Sequence, residues 1–238
     1  MNDYVWNKFI AQLAKRKAVL CLVGGGGKTS IMYELAAKLA GFGRKVLVLT
    51  STHIYQPAPE LYAASEAAGQ KLWQEGSYVV IGTLERETNK LTAPGPALYS
   101  ALRHQADIVL CEADGAKHLP CKVPAAHEPA LLKECDIVLA VCGLDALGKP
   151  LAEVVFRTQL AAAMLNVHEK TLLTAPLLAR ILTDEQGARK DVGSREYYVV
   201  LNKCELVTKA QVHELCSSLL AAGLKEEQVL LRSNFGKE

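Results

Sequence analysis

The stretch Val23-Gly24-Gly25-Gly26-Gly27-Lys28-Thr29-Ser30 decides the fold of this chain. Before it runs the apolar segment Ala18-Val19-Leu20-Cys21-Leu22-Val23, and after it Ile31 to Leu39 has helical spacing. Strand, glycine turn and helix is the context in which a Gly-Lys-Thr sequence carries chemistry. Consecutive glycines let the backbone curl through positive φ and turn its N–H groups inward as an anion nest. The first helical turn adds unpaired donors and the positive end of its dipole. The predicted nucleoside-phosphate contacts are Gly24, Gly25, Gly26, Gly27, Lys28, Thr29 and Ser30. Lys28 reaches the β/γ-phosphates, and the Thr29 hydroxyl joins a Mg²⁺ shell. One departure stands out. Leu22 occupies the place of the motif's usual first glycine, so either the loop is tighter than usual or Gly24 makes its first turn.

Outward from the loop, apolar strand candidates recur at 18–23, 45–50, 77–81, 107–111, 136–142 and 197–201. Several are continuous runs, as in Ile137-Val138-Leu139-Ala140-Val141, which fit strands buried on both faces of a parallel sheet. Helical patterns lie between them at 29–40, 59–75, 96–105, 157–166, 174–182 and 208–222. The alternation predicts an α/β fold of P-loop NTPase type, a doubly wound and mainly parallel sheet with helices on both faces. Two short alternating runs around Glu87-Thr88-Asn89 predict an appended hairpin at about 79–92, and 157–193 reads as a helical insertion. The whole of 1–238 is expected to form one nucleotide-binding domain.

With 27 basic and 25 acidic side chains the charges nearly balance, which argues against nucleic acid or a polybasic membrane anchor as a partner. Seven cysteines are scattered without a C-x-x-C pair, and no stretch has the length of a membrane span. The expectation is a cytoplasmic protein.

In such a sheet, ligands collect at the carboxyl ends of the strands. Strand 45–50 is followed by Thr50-Ser51-Thr52-His53, where Thr52 is a candidate Mg²⁺ ligand and His53 a candidate proton acceptor. Strand 107–111 is followed by Glu112-Ala113-Asp114-Gly115. Glu112 is the expected second metal anchor, and Asp114 the candidate for orienting the attacking group. Lys117 and Lys122 either offset phosphate charge or are simply solvated, and the proline-punctuated run 119–129 suggests a substrate loop or lid. After 197–201 comes Asn202-Lys203-Cys204-Glu205. Its likeness to an Asn-Lys-x-Asp guanine-reading sequence makes Asn202, Lys203 and Glu205 candidate base contacts, with Glu205 in place of the aspartate.

The ordered set Gly24–Ser30, Ser51-Thr52-His53-Ile54, Glu112-Ala113-Asp114-Gly115, Leu119-Pro120, Pro124 to Pro129, Gly143 to Pro150 and Asn202-Lys203 resembles the YqeC family from about residue 15 to beyond 205. That family's members are described as accessory or selenium-cofactor biosynthesis proteins for selenium-dependent molybdenum hydroxylases. The chain departs from the family pattern at Ser51, Cys121 and Glu205. The resemblance implies a pathway and not a reaction, with a molybdenum hydroxylase or its cofactor carrier as partner. Combined with the loop, it leads to a Mg²⁺-dependent ATP- or GTP-binding protein, a hydrolase or phosphotransferase. The alternatives are a nucleotide-gated delivery or scaffold protein with little turnover, and a small-molecule kinase or ligase.

Overall fold

The computed structural model describes residues 4–233. The strands are β1 (Ala18–Gly24), β2 (Val46–Thr50), β3 (Ile54–Tyr55), β4 (Val79–Val80), β5 (Thr83–Glu85), β6 (Lys90–Thr92), β7 (Ile108–Glu112), β8 (Cys121–Lys122), β9 (Ile137–Gly143), β10 (Val155–Phe156), β11 (Glu196–Asn202) and β12 (Val229–Leu231). The α-helices are α1 (Tyr4–Leu13), α2 (Lys28–Gly41), α3 (Glu66–Gln74), α4 (Pro96–Arg103), α5 (Leu151–Val154), α6 (Thr158–Leu165), α7 (Ala175–Thr183) and α8 (Lys209–Ala221).

Seven strands form the central sheet in the order β12-β11-β9-β1-β7-β2-β4, and every neighbouring pair in it is parallel. The run of apolar residues in β1 explains its place at the centre. Val19, Cys21 and Val23 point into one core and Ala18, Leu20 and Leu22 into the other. The second core is closed by Trp6, Phe9, Ile10 and Leu13 of α1 and by Ile31, Met32, Leu35 and Leu39 of α2. The first is closed by Trp73 of α3, Leu102 of α4, Leu178 of α7 and Leu215 of α8. Burial on both faces leaves no polar side of the strand to alternate, which is why these strands read as continuous apolar runs.

The observed elements differ from the expected ones in four places. Helix α1 was not anticipated, although Trp6, Phe9, Ile10 and Leu13 recur at helical spacing and are all buried. Strand β12 is a three-residue edge strand on β11, too short to announce itself by pattern. The predicted helix 59–75 is divided, because Ser65 caps α3 by accepting from the Ala68 N–H at 3.3 Å, and Tyr62 bridges to Val80 before it. The hairpin itself is β5 and β6, antiparallel across residues 86–89 and extended by β3 on the other edge of β6. Val79–Val80, read by sequence both as part of a strand at 77–81 and as the start of the hairpin, is a strand of the central sheet beside β2 and not part of the hairpin.

The chain leaves β1 towards β2, β4 and β7 on one side, then crosses to β9, β11 and β12 on the other. The carboxyl end of β1 is therefore the switch point of the sheet, where a crevice opens. Register aligns Thr50 with Glu112, Glu112 with Leu22, Gly24 with Val141 and Gly143 with Asn202. Five distant segments thus meet at one edge. Among the described residues no helix is long and apolar enough to cross a membrane.

Candidate functional site

The glycine loop turns at Gly24 (φ 94°), Gly26 (φ 73°) and Gly27 (φ 117°), so the first turn is made by Gly24 and the missing glycine at Leu22 is not needed. Glycine is required for space as well as for φ. A Cβ on Gly26 would stand 2.1 Å from the Gly143 backbone nitrogen. The loop is clamped from behind: Gly25 N donates to Val141 O at 2.9 Å, and Gly26 N donates to Leu119 O at 3.0 Å. Gly24 N donates to Asp114 Oδ2 at 3.0 Å. From Gly27 onward the situation changes. Ile31 N is the first amide of α2 to find an acceptor in the helix, Gly27 O at 3.0 Å. The preceding N–H groups of the first turn have no intrahelical partner, and Gly27, Lys28, Thr29 and Ser30 line a cleft of about 720 Å³.

At the mouth of this nest the Thr29 hydroxyl donates to Glu112 Oε2 at 2.6 Å. A hydroxyl and a carboxylate at the head of an anion nest are hard oxygen donors of the kind Mg²⁺ takes alongside phosphate and water. Thr52 lines the same cleft, with its hydroxyl 3.3 Å from that of Thr50. Thr50 in turn donates to Glu112 O at 3.0 Å, fixing the end of β2 to the end of β7. His53 is exposed on the cleft wall.

Lys28 is buried and turned back on the protein. Its ammonium donates to Gly24 O at 2.6 Å, and lies 3.2 Å from Asp114 Oδ1 and 3.7 Å from Glu112 Oε1. Burial raises the Glu112 carboxyl above its ordinary value, only partly offset by the Lys28 charge and the Thr29 hydroxyl. The sign of the linkage follows. A carboxyl raised in the folded state contributes stability fully below its unfolded value of about 4.3, and that contribution is lost as pH rises through the folded value. Urea unfolding of wild type and Glu112→Gln between pH 4 and 7 is expected to show the wild type losing stability relative to the variant as pH rises. A pH-independent difference would mean that burial is not what governs this carboxyl.

Asp114, expected to orient an attacking group, does not face the cleft. Its carboxylate lies behind the loop, held by Gly24 N, by Lys28 and by the Lys122 ammonium at 3.2 Å. Asp114 therefore braces the glycine turn. Lys122, for which phosphate contact and solvation were the two expectations, does neither. Its side chain is 0 % exposed, it donates to Gly115 O at 2.6 Å, and it pairs with Glu128 at 2.8 Å. Arg157 closes the chain on Glu128 at 2.6 Å. Burial alone would raise the Glu128 carboxyl, but the Lys122 bond, the Ala125 N–H and the Lys122 and Arg157 charges outweigh it and hold it low. Glu112, Lys28, Asp114, Lys122, Glu128 and Arg157 thus form one chain of alternating charge that runs from the cleft to behind the loop.

The proline-punctuated run has a bracing role beside the cleft, where Leu119 is one of the lining residues. Pro120 O accepts from Gly143 N at 2.9 Å, and Lys190 donates to the carbonyls of Ala125, Ala126 and Glu128 at 2.6–2.7 Å.

Asn202 is buried against the loop, donating from Nδ2 to Gly26 O at 2.7 Å and accepting on Oδ1 from Arg232 at 2.8 Å. Arg232 is itself held by Glu34 of α2. The side-chain contacts of Asn202 thus tie the last strand to the glycine loop. Lys203 lines the cleft and donates to Asp145 at 2.8 Å, while Glu205, in the turn beyond, is not among the lining residues. Sequence reasoning did not find Glu34, Arg157, Lys190 or Arg232. No local pattern marks them, because each acts on a partner at least 29 positions away.

Comparison with known proteins gives two matches. The sequence model of the family described as "YqeC protein" matches residues 20–159. A protein of Escherichia coli (strain K12), "Uncharacterized protein YqeC", is 32% identical over 203 residues, covering 80% of this chain and 79% of the relative. The family match takes in the glycine loop, the ends of β2 and β7, and the Lys122–Glu128–Arg157 chain, and stops before Asn202.

Proposed function

The chain belongs to the YqeC family, and we propose that it is a P-loop protein that binds ATP or GTP with Mg²⁺ and hydrolyses it or transfers its γ-phosphoryl group. The observation that carries this is the junction of an open helix N-terminus at Gly27–Ser30 with the 2.6 Å Thr29–Glu112 pair. The amides would hold the β/γ-phosphates. Thr29 and Glu112, with Thr52 near them, would hold Mg²⁺ directly or through water, and the ion would supply charge neutralisation on the phosphate oxygens.

Lys28 would exchange its bond to Gly24 O for phosphate oxygen, and so stabilise charge on the bridging oxygen as its bond to phosphorus breaks. The attacking oxygen forms the new bond to phosphorus, and its proton passes to His53 or to water. A second reading, a nucleotide-gated delivery protein with little turnover, is favoured by the resting position of Lys28, which must be drawn out of a buried ion cluster before it can act. The pathway proposed for it, maturation of the cofactor of selenium-dependent molybdenum hydroxylases, rests on the family resemblance alone.

Calorimetric titration with non-hydrolysable ATP and GTP analogues, in Mg²⁺ and in EDTA, tests the reading. One analogue is expected to bind, about tenfold or more weakly in EDTA, and Thr29→Val is expected to remove that Mg²⁺ dependence. Absence of binding by either analogue, or binding indifferent to Mg²⁺, overturns it.

A further inference from the structure

The glycine loop accounts for only one end of the cleft. At the other, β3 and β6 bring up Tyr55 and Lys90, and the turn after β7 brings up Lys117 and His118; all four line the cavity. The Tyr55 and His118 rings face each other with centroids 6.2 Å apart and planes inclined by 24°. Lys90 stands 5.1 Å from the Tyr55 centroid. Tyr55 is 55% exposed, so its ring is open to the cleft it lines. Lys117 (φ 46°) and His118 (φ 65°) are consecutive non-glycine residues in the left-handed region, a conformation that persists where surrounding structure holds it and that clusters at ligand-binding sites.

Charge and topology give this wall a meaning. The cleft is lined by Lys28, Lys90, Lys117 and Lys203 with His53 and His118, against the single carboxylate of Glu112. Of these lysines, Lys28 is paired with Glu112 and Asp114 and Lys203 with Asp145, whereas Lys90 and Lys117, which lie away from the loop, have no carboxylate within ion-pair distance among the described residues. Strands in a sheet are about 4.8 Å apart, so the four steps from β11 to β2 span about 19 Å. Lys203 marks one end of that span, the nest and Glu112 its middle, and the Tyr55 wall its far end. A nucleotide with its phosphates on the loop and its base towards Lys203 leaves the wall empty.

We infer that this wall is a second ligand site, for a small molecule that joins a planar heterocycle to an anionic group. The inference rests on the nucleotide reading, since it takes the loop end as the place of the phosphates. The heterocycle stacks between Tyr55 and His118. A ring sandwiched at van der Waals contact needs faces about 7 Å apart, so the two rings, with centroids 6.2 Å apart, have to separate to admit one. The anionic group lies against Lys90 and Lys117. The γ-phosphoryl end of the nucleotide then points at this ligand, which makes it the candidate acceptor of the site.

The test uses the full chain saturated with Mg²⁺ and the non-hydrolysable nucleotide analogue that binds. Flavin mononucleotide serves as a fluorescent probe that is both planar and anionic, and riboflavin as its uncharged counterpart. Flavin mononucleotide is expected to bind saturably, with riboflavin about tenfold weaker or more. Tyr55→Ala is expected to weaken the probe about tenfold and Lys90→Gln about fivefold, with analogue affinity changed by less than about twofold in both. The inference is overturned if the probe does not bind or if Tyr55→Ala binds it as well as wild type does. It is also overturned if the analogue weakens in step with the probe, because the wall then holds the nucleotide's own base. Failure of the nucleotide reading is seen separately, as no analogue binding by wild type, and the probe titration on the free protein still reports on the wall.

Discussion

Lys28→Ala loses Mg²⁺-dependent binding of the triphosphate analogue by about 10- to 100-fold, the worth of a charge-assisted hydrogen bond to phosphate, and it also destabilises the protein. The sequence alone makes Lys28 a phosphate ligand whose removal leaves the fold untouched. The structure gives it a second role. Its ammonium is 4% exposed as a side chain and lies against Glu112 and Asp114. Removing one partner of such a cluster strands buried charge, at a cost of about 3–5 kcal/mol. Folding stability and binding are read separately, by urea unfolding and by calorimetry on protein kept well below its unfolding midpoint. With the cation gone, the Glu112 carboxyl is pushed higher still, so the deficit in stability shrinks as pH falls towards 4 and grows as pH rises. Unchanged analogue affinity in folded Lys28→Ala would remove Lys28 from the site. Unchanged stability at pH 7 would show that the ion cluster does not hold the loop.

The second large effect is expected at Lys122, which reaches the glycine-loop end of the cleft only through Asp114. Lys122→Met leaves Asp114 and Glu128 without a cation they share, one at 3.2 Å and the other at 2.8 Å. The cost is again about 3–5 kcal/mol, a large part of the 5–15 kcal/mol that holds a typical domain together. A double-mutant cycle distinguishes the ion pair from simple loss of packing. Glu128 keeps Arg157 and Asp114 keeps Lys28, so the variant leaves one carboxylate in excess; adding Glu128→Gln removes it, and the double variant is expected to be more stable than the sum of the two single losses, by about 1–3 kcal/mol. Additive losses would mean that Lys122 acts through its hydrocarbon stem and its bond to Gly115 O. Because Asp114 positions both Gly24 and Lys28, Lys122→Met is also expected to weaken analogue binding where it remains folded.

These two lysines show where reading along the chain succeeds and where it stops. Lys28 follows four glycines and precedes Thr29, and that local order already specifies a turn, a helix start and an anion nest. Lys122 sits in a proline-broken segment with no periodicity; its partners Asp114, Gly115 and Glu128 lie within eight positions of it, but only the path of the folded segment turns them onto one ammonium. Asp114 was legible as a residue near the site, since it lies in the turn after an apolar strand that ends at Glu112, but not as a brace behind the loop. Asn202 was legible as belonging at the same strand edge; that it grips Gly26 O depends on β11 lying two strands from β1.

What the sequence determined by itself is whatever depends on neighbours in the chain. Continuous apolar runs dictate strands buried on both faces, and the glycine turn fixes the loop. The alternation of runs with helical spacing fixes the α/β class. What only the tertiary structure decided is which polar groups face the cleft and which face one another. Sheet order set β7 between β1 and β2, placing Glu112 in the cleft and Asp114 behind it. It also carried Tyr55 and His118 to a common wall. The physical reason is that a hydrogen bond or ion pair acts over about 3 Å, whereas the residues that make these contacts lie up to 198 positions apart in the chain.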